Sequence, residues 1–263
     1  MGAVNPSGQS PELSSWGLAT GWAGKALFID TLARATGETH WRGHADDLAE
    51  RCVEAVGGQP MTWSFFGGVT GLAWALEALG ATRGEDVEEA LVPFLADRSQ
   101  RLPLDLVQGL CGYGVFLLGR LPGGRAREGL CQVLARLEER AERGPGMARW
   151  LSAPEELRPD SRALFPQGMY DLGMAHGVAG TIALLARIAE ADVEPSRTMA
   201  LLRDAVAWFL SRRLDRTENQ FPAVLGPNSE PGEPARTAWC YGDAGASLAL
   251  DRKSTRLNSS HSS

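Results

Sequence analysis

Gly177-Val178-Ala179-Gly180, running directly into Thr181-Ile182-Ala183-Leu184-Leu185-Ala186-Arg187-Ile188-Ala189, is one of five copies of a Gly-x-x-Gly element that opens a small or apolar run. The other copies are Gly21-Trp22-Ala23-Gly24, Gly68-Val69-Thr70-Gly71, Gly109-Leu110-Cys111-Gly112 and Gly242-Asp243-Ala244-Gly245. Their first glycines lie 47, 41, 68 and 65 residues apart, and the two longer gaps hold proline-rich inserts around Pro145 to Pro166 and Pro222 to Pro234. A loose period of this size marks helical pairs joined by variable loops.

Two kinds of helix are expected to alternate. The runs after the glycines, such as Ala179 to Ala189 and Gly114 to Leu121, are apolar nearly all round, which predicts helices buried on most of their surface. Between them lie one-sided segments. In Arg125 to Arg143 the apolar residues Leu130, Val133, Leu134 and Leu137 fall at i, i+3, i+4 and i+7, and Ala45 to Val56, Asp86 to Ala96 and Arg197 to Leu214 read the same way. Period-2 runs of β-branched residues are scarce and Ala and Leu dominate, so the expected class is all-α. Glycines at each entry suit helix N-termini that crowd together and a backbone of positive φ. Converging N-termini would also be electropositive.

Composition narrows the functions. The chain has 263 residues, 44% of them hydrophobic, and a formal charge of -6, with no basic segment to meet a phosphate backbone. Nucleic acid is therefore not an expected partner. No apolar stretch is long enough to span a bilayer and no secretory signal pattern opens the sequence, so a cytoplasmic location is expected. Cys52, Cys111, Cys131 and Cys240 lie far apart in a chain of this size, which argues against a disulfide framework. Cys111 stands where other copies carry Ala179 and Ala244, so it reads as core filler, and Cys52 and Cys131 fall on outer helices. His40 and His44 read as solvated loop residues. From Arg252 the sequence turns polar and Ser-rich, so residues 1–250 are read as one domain and 251–263 as a foreign, disordered tail.

Chemistry concentrates in the last copies. His176 is the one histidine inside a glycine repeat; an imidazole can move protons at neutral pH, or simply donate to a carbonyl at a helix end. Cys240 reads as a soft metal ligand or as a small buried hydrophobe. Asp105 stands four residues before Gly109 and reads as a site carboxylate or an N-cap, and Asp171, six before Gly177, as a cap. Arg236 and Tyr241 flank Cys240 and read equally as pocket residues or as a surface ion pair and a core aromatic.

Tyr170-Asp-Leu-Gly-Met-Ala-His176-Gly-Val-Ala-Gly180 and Arg236-Thr-Ala-Trp-Cys240-Tyr-Gly-Asp-Ala-Gly245 resemble the paired His-Gly and Trp-Cys-Tyr-Gly signatures of the lanthionine synthetase C-like (LanC) family, on consecutive copies of one repeat. The resemblance runs from about Ser14 to Leu250 and implies an α/α toroid, an inner and an outer helical barrel of seven hairpins, of which five are visible here. It implies a zinc-dependent Michael-type addition of peptide cysteines to dehydroalanine or dehydrobutyrine, as in lantibiotic biosynthesis. Cys240 matches a zinc ligand, while the family's remaining Cys-His ligands have no counterpart in this sequence, so zinc binding is expected to be weak or absent and cyclase activity low in the chain as it stands. His176, Asp105, Arg236 and Tyr241 match the catalytic pocket. A precursor peptide is the implied substrate and a dehydratase the implied partner. Glutathione addition to damaged proteins, or non-catalytic peptide binding, are the alternatives. Glycosidase chemistry on an α/α barrel is disfavoured, because it needs two facing carboxylates and Asp105 alone sits at a comparable repeat position.

Overall fold

The structure, a computed structural model, describes residues 15–56, 60–82, 84–229 and 232–259. Ten α-helices occur among them: α1 Trp22–Thr36, α2 His40–Val56, α3 Val69–Ala78, α4 Glu85–Ala96, α5 Leu110–Gly119, α6 Gly124–Arg140, α7 Pro159–Leu164, α8 Val178–Glu190, α9 Pro195–Ser211 and α10 Asp243–Ser259. The strands are short: β1 Glu142–Gly144 pairs antiparallel with β2 Met147–Arg149, and β3 Tyr170–Asp171 with β4 Val224–Leu225. The all-α expectation holds, with one strand of each pair lying in a proline-rich insert, β2 in the first and β4 in the second. His40 and His44 are exposed, in keeping with the solvated reading, but they sit in the opening turns of α2 and not in a loop.

The chain forms two compact units, one of Met1–Arg101 with Val107–Gly129, the other of Leu102–Leu106 with Leu130–Ser263. In the first, α1 packs on α2 and α3, and α3 also meets α4 and α5. Its core gathers Ala23 and Ala26 of α1, Ala49 and Cys52 of α2 and Leu72, Ala75 and Leu76 of α3. α1 ends at Gly37, whose φ of 73° is the left-handed conformation that glycine adopts without a Cβ penalty, and whose N–H closes on Ala33 O. α4 starts with Glu85, Asp86 and Glu88, acids that suit the positive end of a helix dipole. Arg120 is buried between Glu88 and Glu77, tying α3 and α4 to the end of α5.

In the second unit α8 packs on α9 and α10, and α9 on β2. Ten of the thirteen residues of α8 are buried, whereas α2 buries three of seventeen, so buried and one-sided helices alternate as the periodicity predicts. Leu130, Val133, Leu134 and Leu137 of α6 are each 0% exposed, each contributing roughly 1.5–3 kcal/mol by leaving water. α1 is an exception among the helices that follow a glycine pair: Phe28 is 69% exposed. α10 stays helical to Ser259, past Leu250 where helical order was expected to stop; lengthening an existing helix needs no new nucleation. The rest of the expected tail, including His261, lies outside the described residues.

The glycine pairs have a more local reason than crowded N-termini. A Cβ on the second glycine of a pair would strike the carbonyl oxygen six residues earlier: Leu18 O at 2.0 Å from Gly24, Phe65 O at 1.6 Å from Gly71, Met174 O at 2.3 Å from Gly180 and Trp239 O at 2.4 Å from Gly245. The loop before each helix therefore wraps onto the helix's own first turn. It is closed by Gly21 N–H to Gly17 O, Gly68 N–H to Ser64 O and Gly177 N–H to Gly173 O at 2.9–3.0 Å. Positive φ is not general: Gly21, Gly68, Gly109 and Gly177 are extended, and among these first glycines only Gly242 is left-handed, at 77°. Close approach of backbone to backbone is what excludes a side chain here.

Candidate active site

All of the expected site residues belong to the second unit, where the loop 172–177 is held by three other stretches of chain. Leu172 N–H donates to Ala223 O, Met174 N–H to Cys240 O, and Ala175 O accepts from Leu106 N–H, each at 2.9 Å. The last bond sets residue 105 beside residue 176. Asp105 Oδ1 lies 3.6 Å from His176 Nδ1, an ion-pair distance longer than a good hydrogen bond. The N-cap of helix α5 is Gly109, so Asp105 does not stand at the N-cap position. The His176 side chain remains 49% exposed and that of Asp105 15%. Asp105 at the ring raises the imidazole above its ordinary value; partial burial opposes this, and the charges of Asp105 and Asp171 add to the rise.

Asp171, read from the sequence as a cap, proves to be part of this constellation. α8 has Gly177 at its N-cap and no side-chain cap bond. Asp171 instead accepts Gly173 N–H on Oδ1 at 2.7 Å and the Tyr241 hydroxyl on Oδ2 at 3.3 Å. Burial pushes this carboxyl up to about 6, against the lowering effects of the Gly173 bond, the His176 charge and the Tyr241 bond, with Asp105 adding to the rise. The Tyr241 phenol is raised in turn, by burial first and then by the Asp171 charge and bond.

A carboxyl whose pKa is raised on folding binds its proton more tightly in the native state. Its favourable contribution is therefore full below the ordinary value of 3.8 and is lost as pH rises through about 6. Asp171→Asn, which keeps the shape and cannot ionise, is expected to gain on the wild type by about 1–2 kcal/mol between pH 5 and pH 8. Urea unfolding of both proteins at the two pH values measures this; a stability difference that does not move with pH contradicts it.

Cys240 is a partly buried free thiol whose carbonyl holds Met174, two residues before His176. Tyr241 packs on Gly173, where a Cβ would come within 2.8 Å of the ring. Arg236 is exposed and, among the described residues, makes no ion pair; its carbonyl packs against Gly242. The structure thus joins Asp105 to His176 and Tyr241 to Asp171, sets Cys240 alongside through its backbone, and links Arg236 to none of them by side chain. A cavity of about 350 Å³ in the first unit, lined by Val53, Val69, Leu72, Leu76 and Glu85 among others, contains none of these groups.

A tetrahedral zinc centre open to substrate takes three protein ligands. Among the described residues no group of three or more His, Cys, Asp or Glu side chains is arranged to hold a metal ion. Cys240 is a suitable soft donor without such a set, so the described residues do not by themselves fit the zinc that the family resemblance implies.

Comparison with known proteins agrees with the fold. A search of curated proteins finds no sequence match. A solved structure titled nisin cyclase superposes with a TM-score of 0.79 at 18% identity, covering 95% of this chain and 68% of that one. Nisin cyclase is an α/α toroid, and the likeness gives this chain the same fold class. The family described as lanthionine synthetase C-like protein matches residues 12–261. With nearly the whole sequence matched and both of its signatures meeting around one loop, the chain belongs to the lanthionine synthetase C-like family.

Proposed function

We propose that this chain acts as a lanthionine-forming peptide cyclase in which His176 handles the proton. The carrying observation is an imidazole half open to solvent, held 3.6 Å from the Asp105 carboxylate and biased toward its protonated form. In the reaction a cysteine thiolate of the substrate forms a carbon–sulfur bond to the β-carbon of a dehydroalanine or dehydrobutyrine. The π electrons pass to the α-carbon and its carbonyl as an enolate. Imidazolium at His176 gives its proton to that α-carbon, and the thiol's own proton, released when the thiolate formed, restores the charge balance. Asp105 keeps the imidazolium in place and charged, a role that costs no reorganisation during the step.

The substrate implied is a peptide that already contains dehydrated residues. Such residues are not incorporated by translation, so a dehydratase acting on Ser or Thr must come first. A cytoplasmic setting is supported by four free thiols, which persist in a reducing compartment. Among the described residues no helix is long and apolar enough to cross a membrane.

The test is to incubate the folded protein with a peptide carrying one cysteine and one dehydroalanine. Loss of alkylatable thiol at unchanged mass, faster than without protein, is the expected result. A gain of one glutathione when that thiol is supplied, with no ring closure, would assign the site to glutathione addition. No acceleration of either would leave a peptide-binding scaffold as the better account.

A further inference from the structure

The Tyr241 hydroxyl has a single proton, and among the described residues the structure directs it to one acceptor, over a long O–H···O separation. It donates to Asp171 Oδ2 at 3.3 Å, while Asp171, 5% exposed, has its other oxygen on Gly173 N–H. A Cβ on Gly173 would lie 2.8 Å from the Tyr241 ring, so no side chain fits between them. Ring position is therefore set by Gly173 and hydroxyl direction by Asp171. Among the described residues no N–H or O–H donates to the Tyr241 oxygen. The charged or polar groups that bear on it are Asp171, Asp105 and Cys240, none of them a strong donor when ionised. What the tyrosine offers to an arriving molecule is a lone pair.

A second observation separates this from a turn-forming role. The residues six before the first glycines are Ser15, Thr62, Pro103, Asp171 and Arg236, so the turn does not call for an acid. In the second copy the Thr62 hydroxyl occupies the space beside Gly68 that Asp171 Oδ1 occupies beside Gly177. A buried carboxylate is costly unless its bonds repay it. Here the partner absent from the second copy is the phenol of Tyr241.

We propose that Asp171 is a positioning residue that makes Tyr241 a hydrogen-bond acceptor for a backbone N–H of the substrate peptide, a proposal that rests on reading the site as a peptide cyclase. An N–H acceptor held by Asp171, whose carboxyl also senses the His176 charge, would orient the dehydro residue's amide and select for peptides with a free N–H at that position. In Asp171→Asn the amide oxygen keeps the Gly173 N–H, its NH₂ donates to the phenol oxygen, and the lone pair is no longer offered.

Binding of an unreactive peptide, with alanine in place of dehydroalanine, tests this apart from catalysis. N-methylation is scanned over the alanine amide and its two neighbours, against wild type and Asp171→Asn. At one position N-methylation is expected to weaken binding to wild type about tenfold and to change binding to Asp171→Asn by less than about twofold. In parallel, infrared spectra of ring-labelled tyrosine, assigned with Tyr241→Phe among the three tyrosines of the chain, should show a donor-only phenol in wild type and an acceptor phenol in Asp171→Asn. No sensitive amide, or equal sensitivity in both proteins, overturns the proposal, as does an unchanged phenol band. Absence of turnover with the reactive peptide would count against the cyclase reading and leaves these binding and spectral outcomes to decide the role of Asp171.

Discussion

Glutamine in place of His176 is expected to slow thioether formation on a dehydroalanine peptide by about 10²–10⁴-fold, the usual range for loss of a positioned general acid or base. Glutamine fills similar space and still hydrogen-bonds, but it cannot carry a proton to an enolate carbon. The site's electrostatics also set the sign of the pH dependence. Asp105 and Asp171 hold the imidazole above its ordinary pKa, so the protonated donor persists to higher pH than for a free histidine. The rate should fall as pH rises through that raised value, and Asp105→Asn should move this alkaline limb to lower pH. Thiol loss followed from pH 6 to 9 with the three proteins measures both effects. Retention of activity within about threefold in the glutamine variant would remove His176 from the mechanism.

Alanine at Gly71 should unfold the first unit's packing by about 3 kcal/mol or more, since its Cβ would lie 1.6 Å from Phe65 O and both partners are backbone. Neither can swing away like a side chain. The helix would have to leave the loop before it, breaking the bond from Val69 N–H to Thr62 O as well. Gly43 in α2 is the control: a Cβ there meets nothing within 4 Å, so alanine is expected to stabilise by about 0.5–1 kcal/mol through helix propensity. Thermal or urea unfolding of both variants checks the pair. A Gly71→Ala protein as stable as wild type would mean that the close loop-to-helix approach is not what the glycine is for.

Site residues were only partly legible in advance. Asp105 and His176 could be singled out because motif and chemistry coincided at each, but their contact depends on Leu106 N–H reaching Ala175 O, a bond between segments about seventy residues apart. Asp171 was misread because an acid shortly before a helix has the same sequence pattern whether it caps that helix or faces a distant tyrosine. No local signal announces Tyr241 as its partner, and burial, which lifts its carboxyl to about 6, is a property of the packed unit alone. Arg236, which reads equally as a pocket residue or a surface ion pair, is exposed and makes no ion pair among the described residues, and its side chain bonds to none of the other site residues.

By itself the sequence determined the helical class, the alternation of buried and one-sided helices, and where each glycine-led helix begins. All of these are written in spacings of about seven residues or fewer, such as the six residues from Met174 to Gly180 or the i, i+3, i+4, i+7 stripe of Leu130, Val133, Leu134 and Leu137. Interactions that short in sequence separation must leave their pattern in the sequence. Only the tertiary structure decided which acid serves the histidine and which holds the tyrosine. Those pairings, Asp105 with His176 and Asp171 with Tyr241, join segments whose approach is set by the sum of many weak packing and backbone contacts in the second unit, and no single residue encodes it.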